Sequence, residues 1–186
     1  MNTDLLHTFE RLASLLKQES KDAATKAGLQ QVQYDALVYL SLCNRYSDTP
    51  IAVTEYLGLT KGTVSQTLKW LSEKGYLTKE RDAQDKRLVH LKLTADGKRL
   101  VANTTPPPEF SELISNQSKS VQELLTSLLK QLLVEYQDKT DRQGFGQCRQ
   151  CVYNRTTERG FRCSLTSESL EEEETQLICR EFIHIS

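Results

Sequence analysis

Apolar positions along the chain follow helical spacing first. Leu5, Phe9, Leu12 and Leu16 fall at i, i+4, i+7 and i+11, which predicts one amphipathic helix. Leu29, Val32, Ala36, Leu40 and Cys43 predict a second, ending in the turn-rich run Asn44–Pro50. Pro50 suits the first turn of a short third helix, Ile51 to Leu57, closed by Gly58. Thr60 stands where an N-cap belongs, and Val64, Leu68 and Leu71 form the inner face of a fourth helix stopped by Gly75. The period then drops to two. Val89, Leu91 and Leu93 alternate with His90 and Lys92, a half-buried strand whose partner is expected near Tyr76–Glu80, joined through the polar run Arg81–Arg87. Helix returns from Ala95 to about Ala102, and the prolines at 106–108 break it. A leucine-rich helix is expected from Ser118 to Tyr136, a linker from Gln137 to Gly146, and a cysteine segment thereafter.

The fold class expected is therefore mainly α with a small β wing: a winged helix-turn-helix with a helical dimerisation region and a C-terminal Cys-rich metal module. The divisions are 1–28 for a dimerisation helix, 29–94 for the winged unit, 95–140 for further dimerisation helices and 141–186 for the module. The stripes of the first helix and of the leucine-rich helix are too large for so small a core. Covering them with a second copy predicts a homodimer.

The 186 residues, 26% of them charged, suit about one domain with an appendage. No apolar run is long enough to span a membrane and the first residues lack a signal pattern, so a cytoplasmic protein with no membrane partner is expected. The net charge of −1 hides an asymmetry: Lys61–Arg99 holds ten Lys/Arg against five Asp/Glu, whereas the residues from Ser164 onward hold six acids and one Arg. The middle segment is suited to phosphates and the tail is not. No Ser-His-Asp set, phosphate-cradling glycine loop or paired acids in an apolar setting occurs, so an enzyme is not expected.

The run from Leu57 to Gly97 holds a recognition-type helix, the turn Glu73-Lys-Gly-Tyr-Leu77, the wing Arg81-Asp-x-x-Asp-x-Arg87 and the exit Leu93-Thr-x-x-Gly97, in that order. Over roughly Leu29 to Leu100 the chain resembles the MarR family of bacterial transcription regulators. The resemblance implies a dimer reading an imperfect palindrome of double-stranded DNA, in many relatives under control of a small aromatic effector. With Val64, Leu68 and Leu71 inward, Lys61, Thr63, Gln66, Lys69 and Trp70 project to the other side or flank. Gln66 is suited to adenine, Thr63 to a thymine methyl or a phosphate, and Gly62 to close approach of the helix start to the sugar-phosphate backbone. Trp70 is expected at the core or flank. Arg87 resembles the family's wing arginine and Asp85 the acid that shapes the wing, while Lys79, Arg81, Lys86 and Lys92 are expected to neutralise phosphates.

Four of the five cysteines follow: Cys148-Arg-Gln-Cys151, eleven residues to Cys163, then fifteen to Cys179. Cys-x-x-Cys with two further thiolates makes a four-sulfur shell for an iron–sulfur cluster or for tetrahedral zinc. The spacing looks like that of small modules holding a 4Fe–4S cluster, which is the expectation, with zinc as alternative. Gly144, Gly146 and Gly160 supply tight backbone, and Arg149, Arg155, Arg159 and Arg162 offset the thiolate charge. Cys43 reads as a small buried hydrophobe, His184 as an exposed tail residue, and Glu171–Glu174 as a solvated face. The expected activity is a DNA-binding repressor whose module, hung from the dimer helix, senses redox state, oxygen or iron. The competing readings are a structural zinc site with a small aromatic effector, and a thiol–disulfide or electron-transfer protein using Cys148 and Cys151, which lacks the βαβ setting of that chemistry.

Overall fold

The computed structural model describes residues 3–140, 142, 144–158 and 160–185. Arg159, one of the four arginines named above, lies outside the described residues. Helix α1 (Thr3–Lys26) leads into α2 (Gln31–Leu42), α3 (Pro50–Leu57) and α4 (Lys61–Glu73), then the antiparallel pair β1 (Leu77–Arg81) and β2 (Val89–Leu93) and α5 (Ala95–Ala102). The winged arrangement is thus as the periodicity predicts. Thr49 and Thr60 cap α3 and α4 through their hydroxyls, satisfying amides that a helix start leaves without intrahelical partners. Leu37 of α2, Val53 of α3, Leu68 and Leu71 of α4, Leu77 of β1 and Leu91 of β2 meet in one core. Gly97 explains the exit motif: a Cβ there would lie 2.2 Å from the Tyr76 carbonyl oxygen, so α5 can cross the strand only with glycine at this point.

The proline run was expected only to break a helix. It also starts one, α6 (Pro108–Ser115), because Pro108 sits in the first turn where a missing N–H costs nothing. Helix α7 (Lys119–Lys139) continues three residues past its expected end. Along α1 and α7 the stripes face outward: Leu5, Phe9 and Leu12, then Leu124, Leu128, Leu129, Leu132, Leu133 and Tyr136, are all exposed. Among the described residues no helix is long and apolar enough to cross a membrane.

The cysteine segment contains strands that its spacing did not announce. β3 (Gly146–Gln147) pairs with β7 (Ile178–Cys179), and β4 (Asn154–Thr157), β5 (Gly160–Cys163) and β6 (Glu168–Leu170) form a three-stranded antiparallel sheet. Gly146 is fixed by packing, since a Cβ would meet the Phe182 ring at 2.7 Å. The residues between α7 and β3 do more than link. Phe145 is buried in the core of the winged unit, with its ring edge-on to Tyr56 at 5.1 Å and to Tyr39 at 6.1 Å.

Candidate functional site

Helix α4 presents one polar edge because its inner positions, Val64, Thr67, Leu68 and Leu71, are taken by the core. Lys61, Gly62, Thr63, Gln66 and Lys69 are exposed, as expected. Thr63 is partly committed: its hydroxyl meets that of Thr60 at 2.9 Å, tying it into the cap. Lys69 lies 3.8 Å from Glu73 across an exposed helical step. Trp70 is half-buried against the core with Lys74 over its ring, which is a packing role. Ser65 shares the exposed edge and was missed, its short hydroxyl leaving no mark in the charge pattern.

Beyond α4 the wing carries Lys79, Arg81, Lys86 and Arg87, all exposed. Lys79 and Lys61 flank one shallow depression between α3, α4 and β1. Asp85 does shape the turn, accepting from the Arg87 amide at 3.0 Å and from its side chain at 3.1 and 3.2 Å. Those bonds, the side-chain one first, hold its carboxyl below the usual range. Asp82 does as much: its Oδ1 accepts from the amides of Gln84 and Asp85 at 2.8 Å each, and its other oxygen meets His90 Nε2 at 3.2 Å. His90 also reaches the buried Asp48 through Nδ1 at 2.5 Å. Burial opposes the charge on His90, yet Asp48 and then Asp82 outweigh it and raise its pKa. Lys92, expected at a phosphate, is instead held by Asp48 at 2.5 Å. It belongs to the wing's anchor, because burying Asp48 requires cations beside it.

Four further thiols gather in the C-terminal segment. Cys148, Cys151, Cys163 and Cys179 are all buried and all free. Cys148 and Cys151 flank a single 3-10 turn, Cys163 pairs across the sheet with Asn154, and Cys179 on β7 lies opposite Gly146. Burial pushes the Cys148 thiol up to about 12, with Cys179, Cys151 and Cys163 adding repulsion in that order; Cys148 and Cys163 pack in one small cluster and Cys151 and Cys179 in another. Asn154 Nδ2 donates towards Cys148 Sγ at 3.8 Å. Among the described residues no three Cys, His, Asp or Glu side chains form a ligating group. The donor chemistry nonetheless fits a thiolate-bound metal: four sulfurs away from water, with an amide N–H already turned to one of them.

The segment is not hung from α7 alone, as its place in the chain suggested. β7 runs along the end of α2: the Asn44 amide donates to the Ile178 carbonyl at 2.9 Å, and the Arg180 amide to Ser47 Oγ at 2.8 Å. The Arg180 guanidinium makes two hydrogen bonds to the Glu55 carboxylate on α3. The acids of the tail are in use too. Arg45 reaches Glu168 at 3.2 Å and Glu174 at 3.1 Å, and Arg149 reaches Glu172 at 3.1 Å, so Glu171–Glu174 is not simply a solvated face.

A core of this shape with an exposed basic edge on α4 and wing has known counterparts. The MarR family model matches residues 27–88. Over that stretch the chain is similar to the MarR family. An uncharacterised helix-turn-helix transcriptional regulator, YwaE of Bacillus subtilis, is 31% identical over 105 residues, 54% of this chain and 57% of its own length. The chain thus spans little more than half of that relative. A variant of Staphylococcus aureus MepR from a multidrug-resistant clinical isolate superposes with a TM-score of 0.63 at 25% identity, over 74% of this chain and all of that one. Another MepR mutant, solved bound to an oligodeoxyribonucleotide, gives 0.50 at 26% identity over 72% of this chain and 98% of that one. The MarR-family match stops well before Cys148.

Proposed function

We propose that the chain is a homodimeric, sequence-specific DNA-binding transcription regulator of MarR type, acting as a repressor. One observation carries this: α4 and the wing leave Lys61, Gln66, Lys69, Lys79, Arg81, Lys86 and Arg87 exposed on a MarR-like unit whose MepR relative was solved on DNA. Two such heads about 34 Å apart enter successive major grooves. The exposed leucines of α1 and α7 supply the face on which two copies join. The test is selection of duplexes from a random pool followed by titration. A monomer that binds no selected duplex above random sequence refutes the reading.

The four buried cysteines support a thiolate-ligated metal centre in the segment from Cys148 to Cys179. An iron–sulfur cluster of the 4Fe–4S type is the first reading and zinc the second. Bound there, such a centre supplies a fold-stabilising cross-link that responds to redox state or metal supply. Cys148, Cys151, Cys163 and Cys179 hold it, and Asn154 orients Cys148. Brown protein purified without oxygen, with iron and sulfide, supports the cluster; colourless protein with stoichiometric zinc overturns it. In Cys163→Ser, metal is lost while the winged unit stays folded; full metal retention means that the ligands are wrong.

A cavity of about 450 Å³ favours a small effector as well. It lies between α1, α2, α3 and the Pro106–Phe110 segment, lined by Tyr34, Val38, Tyr56 and Phe110 around Asp35, whose carboxyl burial raises. An apolar aromatic molecule fits that lining. A screen by thermal shift that finds no such binder refutes it.

A further inference from the structure

Cys179 lies on the strand of the module that runs along the winged unit. Ile178 beside it bridges to Cys43 at the end of α2, and Arg180 on its other side grips Glu55 on α3. Between these contacts lie Asn44 and Ser47, 2% and 0% exposed. The Asn44 amide cannot be turned round: its Oδ1 accepts from the Tyr46 amide at 3.2 Å and from the Ser47 hydroxyl at 2.8 Å. Nδ2 must therefore point the other way. It is buried and has no hydrogen-bond partner, beside Cys179, whose two neighbours are bonded to Asn44 through the Ile178 carbonyl and to Ser47 through the Arg180 amide. Ser47 has given its only proton to Asn44, so it anchors that amide and leaves the sulfur to Asn44.

A buried N–H left unpaired costs about 1–3 kcal/mol, and a neutral thiol is a weak acceptor. A thiolate bound to a metal is a good one. The donor is thus placed for a state of Cys179 in which the sulfur carries charge. We infer that Asn44 of the winged unit is a positioning residue for Cys179 in the sulfur centre, and that the Arg180–Glu55 clamp carries the loaded state of that centre directly to α3. This rests on the four-cysteine centre proposed above. The α2–α3 turn, not the stalk helix, becomes the route from metal to reading head.

The test uses the full chain purified without oxygen, with metal and sulfide content measured first. Asn44→Asp keeps the acceptor that Tyr46 and Ser47 need and replaces the donor by an anion. It should lose iron or zinc to a chromogenic chelator at least tenfold faster than the unsubstituted chain, in line with the loss of a ligand's outer hydrogen bond. Glu55→Gln leaves the sulfurs alone; it should release metal at the original rate but abolish the difference in DNA affinity between loaded and stripped protein. An unsubstituted chain that binds neither iron nor zinc overturns the centre and this inference together. Metal bound as proposed but released from Asn44→Asp at the original rate overturns the inference alone, and so does a loaded-against-stripped difference that survives in Glu55→Gln.

Discussion

Arg87→Ala isolates the wing. The Arg87 side chain is 92% exposed, and its partner is Asp85 on the same turn. An exposed pair of this kind contributes little to stability, so the fold should be nearly indifferent to the change. Asp82, not Arg87, closes the turn by taking the amides of Gln84 and Asp85, so the wing keeps its shape. DNA binding should not be indifferent. Each phosphate contact adds about 0.9 to the slope of log affinity against log salt, and a dimer loses two, so the slope should fall by about 1.8. Over a fourfold rise in salt, from about 50 to about 200 mM, the unsubstituted protein should lose about tenfold more affinity than the variant. Fluorescence anisotropy on a labelled duplex across that range measures it, with a thermal melt as control for folding. An unchanged slope together with an unchanged melt would mean that the wing arginine never reaches the duplex.

Gln66→Ala should relax base preference at one position per half-site by about 1–3 kcal/mol, read by competition with single-base operator variants; an unaltered preference removes Gln66 from the reading set. Leu128→Lys with Leu132→Lys places two charges on the exposed stripe of α7. Sedimentation should then give a monomer, and an intact dimer places the joining face elsewhere. His90 predicts a pH dependence. Its folded pKa is raised, so its stabilisation is full below about 6.5, its unfolded value, and fades as pH rises through the higher folded one. The melting temperature should fall across that window, and His90→Gln should flatten the change. A fall of equal size in His90→Gln would place the titration at another group.

Helix periodicity, caps and the alternation of β2 were legible because each is local: apolar spacing, Thr60 before α4 and Gly75 after it carry their own instructions. The basic edge of the winged unit was legible for the same reason. What escaped depends on partners distant in sequence. Lys92 has the charge of a phosphate contact and becomes an anchor only because Asp48 lies beside it, 44 residues away. Phe145, in a run that reads as a linker, is buried because Tyr39 and Tyr56 leave room for its ring. Cys43 fits the expected buried hydrophobe, with burial raising its thiol to about 12, but its neighbour across the bridge is the strand of Cys179. Strands of two to four residues around the cysteines are too short to show a period, and α6 was hidden by the prolines that begin it.

The energy of the docked segment decides whether it can act on the reading head. Moving a two-state equilibrium from 1:99 to 99:1 needs a difference of about 5.5 kcal/mol. Between the segment and the α2–α3 turn stand the Asn44–Ile178 and Arg180–Ser47 bonds, the double Arg180–Glu55 contact, the Arg45 bond to the Ser169 carbonyl and that of Tyr46 to Glu168. At about 0.5–1.5 kcal/mol each, and less for the exposed ones, they sum to roughly 3–7 kcal/mol. The stalk side offers Lys130 to Gln147 at 2.6 Å, two bonds between Gln137 and the Phe145 backbone at 3.3 and 3.5 Å, and the packing of Val134 beneath Phe182, which at about 2–5 kcal/mol is the smaller set. Were the segment to fold only with its cysteines ligated, it would make or withdraw contact energy of that order against α3, the helix that supports α4.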